Sequence, residues 1–165
     1  MEVKRLALGD VEAELARTWR ALERVPEDRF AWRPHEKSWT LIQLATHLAR
    51  LPQWATRILA KDSFDLAAPL PPAPAPATGR AELLRFFDEN AGALRAALER
   101  VTDADLAVEW KLRHGDRVLA SHPRAVALRS MGLSHMAHHR GQLTVYLRLL
   151  GAPVPALYGP SADEK

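Results

Sequence analysis

A chain of 165 residues is long enough for one domain that buries roughly 70% of the surface its unfolded form would expose, so neither a disulfide nor a metal cluster is needed for it to fold. Its 47% hydrophobic and 26% charged residues match an ordinary soluble globular protein, and a net charge of +3 on scattered arginines, mixed with acids, does not point to nucleic acid. The absence of cysteine excludes disulfides, zinc–thiolate sites and a cysteine nucleophile, so any thiol in the chemistry has to arrive with a substrate.

No long apolar stretch follows Met1-Glu2-Val3-Lys4-Arg5, and nowhere does an apolar run reach about 18 residues, so the expectation is a cytoplasmic protein without a membrane partner. Val11, Leu15, Thr18, Leu22 and Val25 step by four and three and predict a first helix, with Asp10 placed to cap it and Pro26 to end it. A loop containing Trp32, Pro34 and Trp39 leads to Thr40-Leu41-Ile42-Gln43, a capping box, and to a second helix over about Leu41 to Ala60. Pro52 removes a backbone donor inside that helix and predicts a kink or local irregularity. Ala67 to Thr78 is rich in proline and reads as a stiff crossover.

Leu84, Phe87, Ala91, Leu94, Leu98 and Val101 form the stripe of a third helix over about Gly79 to Val101. The stretch from Asp103 to Ser121 has no helical period; Val108 to Leu112 and Val118 to Ala120, around Gly115-Asp116, suit a small hairpin. Ser121 is placed to cap a fourth helix from Arg124 to Leu150, with Pro123 in its first turn and Gly151 and Pro153 after it. The expected architecture is a single all-α domain over residues 1–165, a four-helix bundle with one long crossover.

At about 100° per residue, Leu128, Met131, His135, His139, Gln142 and Tyr146 share one stripe of the fourth helix, and Leu44, His47, Leu51, Trp54 and Ile58 share one of the second. The histidines of the fourth helix are expected to replace core residues and His47 to point at the bundle interior or its rim; facing stripes are where bundles assemble metal sites from different helices. His135 and His139, one turn apart, can reach one ion, and His47 is the candidate third ligand. His138 lies close enough on the helix surface to stand in for His139, and spacing does not choose between them. A core histidine held by a hydrogen bond is the competing reading of each.

Imidazole suits zinc, nickel, copper and iron, and three neutral histidines leave room for water or substrate. Such an ion lowers the pKa of bound water toward about 7 or holds a thiolate, which makes a nucleophile at neutral pH. Arg140 could orient an anionic substrate or lie on the surface. Gln142 could hydrogen-bond a ligand, Tyr146 suits core packing, and Gly141 would allow another helix to approach closely. His35, His114 and His122 read as solvated. Neither histidine stripe carries an acid to serve as general base, although Asp163 or Glu164 in the tail could supply one.

Three stretches resemble the DinB/YfiT-like superfamily of four-helix-bundle metalloproteins: Trp39-Thr40-Leu41 leading to His47-Leu48, the string His135-Met136-Ala137-His138-His139-Arg140-Gly141-Gln142, and the tail Gly151-Ala152-Pro153-Val154-Pro155-Ala156-Leu157-Tyr158-Gly159-Pro160. The resemblance implies His47, His135 and His139 as metal ligands, with His138 outside the set. It also implies a homodimer and a divalent ion, zinc first, with nickel, iron, manganese or copper as alternatives. The function it suggests is a thiol S-transferase that joins a low-molecular-weight thiol to small electrophiles. A metal-dependent hydrolase and a non-enzymatic protein of the DNA-damage or stress response are the alternatives.

Overall fold

The computed structural model describes residues 3–69 and 75–165. Helices dominate: α1 (Val3–Leu8), α2 (Val11–Glu23), α3 (Leu41–Ala60), α4 (Arg80–Arg100), α5 (Asp103–Ala107), α6 (Arg124–Ala127) and α7 (His135–Leu149), with a π-helical segment (Leu128–Ser134) between the last two. Three short strands, β1 (Ser63–Asp65), β2 (Glu109–His114) and β3 (Arg117–Pro123), form one sheet in that order. Among the described residues no helix is long and apolar enough to cross a membrane. Leu70 to Pro74 of the expected crossover lie outside the described residues.

The stripe of α2 is buried as its periodicity predicts, from Val11 through Leu15, Thr18 and Leu22 to Val25 beyond the helix end. Asp10 occupies the N-cap position but makes no side-chain cap; its carboxylate instead pairs with Arg129 at 2.5 Å. A nearby guanidinium outcompetes a backbone N–H because charge-assisted hydrogen bonds are the stronger kind. The capping box of α3 forms as read: the Gln43 N–H donates to the Thr40 hydroxyl at 3.3 Å, and the Thr40 N–H donates to the Gln43 amide oxygen at 2.9 Å. The helix runs unbroken past the buried Pro52, whose carbonyl accepts the Thr56 hydroxyl at 3.1 Å.

α4 turns a face toward α3 that is one position away from the predicted stripe at its start: Leu83 is buried and Leu84 only half so, followed by Phe87, Asn90, Ala91 and Leu94. Asn90 fixes this face, since its buried amide donates to the Ala49 carbonyl of α3 at 3.2 Å and to Phe86 at 2.9 Å. Leu22, Leu48, Leu51, Leu94 and Leu147 are fully covered, each burial stabilising by about 1.5–3 kcal/mol.

The hairpin forms at the expected place, β2 antiparallel to β3 with Lys111 opposite Ser121 and Gly115 at φ 59° in the turn. The sheet is larger than the sequence suggested, because β1 adds parallel to β2 with Phe64 opposite Leu112. Ser121 therefore lies in β3 and donates its hydroxyl to Glu109, so it does not cap the last helix; Pro123 takes the N-cap position. Asp103 to Ala107 is helical, closed by a second capping box between Thr102 and Asp105. The Asp103 carboxylate accepts the N–H groups of Val3 and Lys4, both at 2.9 Å, and so ties α1 to α5.

The π-helical segment breaks the expected continuity of the last helix. Its wider turns insert one residue into the α-helical count. At about 100° per residue, the buried residues before it (Arg124, Ala125, Ala127) and those after it (Met136, His139, Arg140, Leu143, Leu147) occupy faces about 100° apart. Gly132 brings the segment onto α3, where a Cβ would lie 3.3 Å from that of Ala55. The close approach is made there and not at the exposed Gly141, where a Cβ would meet nothing within 4 Å among the described residues.

Candidate metal centre

The π-helical slip decides where the histidines sit. The core stripe of α7 is Met136, Arg140, Leu143 and Leu147, and the predicted stripe of His135, His139, Gln142 and Tyr146 lies beside it, at the rim. His139 is buried, His135 and Tyr146 half-buried and Gln142 exposed. On α3, His47 is likewise half-buried between the covered Leu44 and Leu51. A rim position leaves a path to solvent that a fully core-facing stripe would close.

His47, His135 and His139 come together, each offering a ring nitrogen, with these atoms all within 4.8 Å of one another. Nε2 of His135 and Nε2 of His139 are 2.8 Å apart. Nδ1 of His139 faces the Gln142 amide oxygen, an acceptor, at 2.7 Å, so Nδ1 is the donor and Nε2 is left free to ligate. Nε2 of His47 is buried and lacks a partner among the described residues. Such an orphaned nitrogen is costly unless something fills its lone pair.

The donor set fits a divalent ion. Zinc–nitrogen bonds of about 2.0–2.1 Å in a tetrahedron require nitrogens about 3.3 Å apart, so the His135 and His139 rings would open by about half an ångström. Electrostatics also favours the ligating form. Burial, then the positive character of His139, His135 and Arg50, pushes His47 down to about 4. Burial lowers His135 and His139 as well, although the bonds to Met131 and Gln142 oppose it. Each of these shifts favours the neutral, ligating form of the imidazole.

His138, which spacing left as a rival, is exposed and outside the cluster, with its ring 4.9 Å from that of His139. His35, His114 and His122 are exposed, as expected. Arg140 is neither a surface arginine nor aimed at a substrate. It is 1% exposed and points at α2, donating to the Glu14 carboxylate at 2.6 Å, the Glu14 carbonyl at 3.0 Å, the Thr18 hydroxyl at 2.9 Å and the Tyr158 hydroxyl. Tyr158 in turn donates to Glu14 at 2.7 Å, so the tail closes over a buried ion pair. The tail acids are engaged too: Asp163 pairs with Arg148 at 2.6 Å, and Glu164 with Arg20 and Arg24.

Trp39 is a site residue whose position the helical periods did not reveal, because it precedes the α3 cap. Its ring lies 4.9 Å from His47 and stacks on His139 at 5.7 Å. The Tyr146 hydroxyl donates to its carbonyl at 3.2 Å. Trp39 also divides two clefts. One, of about 480 Å³, is lined by Pro34, Leu44, His139, Gln142, Val145 and Tyr146; the other, of about 400 Å³, by Gln43, Thr46, His47 and Arg50. No Asp or Glu lines either cleft among the described residues.

The model of the DinB family matches residues 2–165. The uncharacterized protein YrdA of Bacillus subtilis (strain 168) is 50% identical over 32 residues, a stretch that covers 19% of this chain and 19% of that protein. The fold is similar to the crystal structure of a DinB-like protein from Bacillus cereus ATCC 10987, with TM-score 0.70 and 22% identity over 92% of this chain and 95% of that one. It is also similar to the DinB-like protein YjoA of Bacillus subtilis, with TM-score 0.66 and 17% identity over 91% and 95% of the two chains.

Proposed function

The chain belongs to the DinB family, and from that premise we propose that His47, His135 and His139 bind one divalent metal ion and that the protein transfers a small thiol to a small electrophile. The long helices α2, α3, α4 and the stretch from Arg124 to Leu149 are read as a four-helix bundle with the site at its rim. Zinc is the expected ion, being matched to imidazole and to a sulfur ligand alike.

The observation that carries the reading is the pair of clefts meeting at the histidines on either side of Trp39, with no carboxylate lining them. Two clefts suit two substrates, and the absence of a nearby base disfavours activation of water by this chain's own acids. Asp163 and Glu164, which would have supplied one, are held by arginines elsewhere. When bound, the ion stabilises the thiolate form of a thiol at neutral pH. Gln142 keeps the Nε2 atom of His139 turned inward. Trp39 covers the imidazoles and limits water. The cleft beside Val145 and Tyr146 receives the electrophile. The sulfur forms a bond to its carbon, the leaving group departs with the electron pair, and the thiol proton passes to solvent.

Metal analysis of protein purified without a histidine tag tests the site. One divalent ion per chain is expected, lost in His47→Ala and in His139→Ala while the circular dichroism spectrum persists; full occupancy in both variants overturns it. A panel of thiols and electrophiles with zinc-loaded protein then tests the reaction, and equal turnover by His139→Ala refutes it.

A further inference from the structure

Arg50 is conspicuous among the arginines of this chain. Arg95 pairs with Glu12, Arg124 with Asp62 and Arg148 with Asp163. Arg50 has only the Gln53 amide oxygen, 3.3 Å from its Nε, and no carboxylate reaches it among the described residues. It is half-buried, and its charge bears on His47, one turn earlier on the same face of α3. The same cleft contains Thr46, 9% exposed, whose hydroxyl is buried without a partner among the described residues. A half-buried cation and an unused hydroxyl beside His47 are each costly without a counter-group, and one anion satisfies both.

We infer that the cleft on the His47 side of Trp39 is a carboxylate subsite: Arg50 and Thr46 receive a carboxylate of the substrate whose other end reaches the histidine cluster. One guanidinium and one hydroxyl match a singly charged, planar group better than a phosphate dianion, which would call for further cations. Arg57, the other cation near Arg50, lies over Trp54 in a separate cleft. The sequence alone shows Arg50 as an ordinary helix arginine, because the missing partner is visible only in three dimensions.

The inference deepens the thiol-transfer reading and rests on it for the ligand's far end, so the experiment separates the two. Calorimetry compares 3-mercaptopropionate with its neutral methyl ester on zinc-loaded wild type, Arg50→Gln and Arg50→Lys. The acid is expected to bind about tenfold more tightly than the ester in wild type, as one charge-assisted hydrogen-bond set allows. In Arg50→Gln the preference should fall to within about twofold with the ester's affinity unchanged, and Arg50→Lys should keep part of it. Equal binding of acid and ester by protein that holds zinc overturns the subsite and leaves the metal centre standing. If zinc fails to bind, the metal reading falls alone, and the subsite is judged on metal-free protein by the Arg50 Nε–H resonance during titration with propionate. A saturating shift, absent with propionamide, upholds it; no shift overturns it.

Discussion

Arg140→Met should destabilise the protein by about 3 kcal/mol, the low end of the cost of breaking a buried ion pair by removing one partner. The guanidinium is 1% exposed and Glu14 is 5% exposed, so water cannot replace what is lost. The low end applies because Glu14 keeps Arg17 at 2.7 Å and the Tyr158 hydroxyl at 2.7 Å. For a chain of this size about 3 kcal/mol corresponds to a fall in Tm of about 6–12 °C. Glu14→Gln removes the other charge, and the double variant should be more stable than the sum of the single losses by about 1–3 kcal/mol. Urea and thermal unfolding of the four proteins at pH 7 measure this coupling. Additivity within about 0.5 kcal/mol, or a loss below about 1 kcal/mol in Arg140→Met, would refute the reasoning. The same carboxylate sets a pH window. Burial alone would raise the pKa of Glu14, but hydrogen bonds from Arg140 and Tyr158 and the charges of Arg140 and Arg17 bring it below 4.5. A lowered folded-state value gives stability that is fully present above the unfolded value and is lost as pH falls through the folded one. Glu14→Gln should lack that component of acid destabilisation.

Gln142→Leu should weaken zinc binding about 10- to 100-fold, because Nδ1 of His139 loses the acceptor that orients it; competition with a chelator reads this, and an unchanged affinity contradicts it. Deleting Ser130, an exposed residue of the π-helical segment, should restore a plain α-helix and rotate α7 by about 100° relative to α6. The expected variant stays helical by circular dichroism and loses its metal; stoichiometric metal in a folded deletion variant would show that the slip does not set the site. Since all three imidazoles titrate below 6.5, zinc affinity should be level from about pH 7 to 8 and decline as protons compete below 6.5, where a set of ordinary histidines would already have lost affinity.

The readable part of this fold was whatever repeats locally. Val11 to Val25 and the Thr40 box declare their helices within a few residues, and His135 and His139 declare a shared face. Helices α1 and α5, of six and five residues, are too short to show a period, although the capping threonine of α5 was in plain view. β1 has three residues and pairs with a strand nearly fifty positions on, so nothing near it announces a sheet. Reading the last helix at a constant 100° carried the histidine stripe into the core, and only the extra residue of the π-helical turn moves it to the rim. Arg140 was opaque for another reason: its partner Glu14 lies 126 positions earlier. The histidine cluster was legible because one turn of helix suffices to write it, whereas the tryptophan wall and the cleft with Arg50 depend on how a loop folds back over that turn.

That wall has an optical consequence. Of the five tryptophans, Trp110 is a buried residue of β2 and Trp54 packs on Phe64, but the indole of Trp39 rests against two imidazoles of the cluster while remaining 46% exposed. Whatever enters between those rings changes the polarity, charge and collisional quenching around one chromophore. The molecule thus carries a built-in fluorescent reporter of its own site, requiring no label, and a variant with phenylalanine at the other four positions would make its signal separable from the rest.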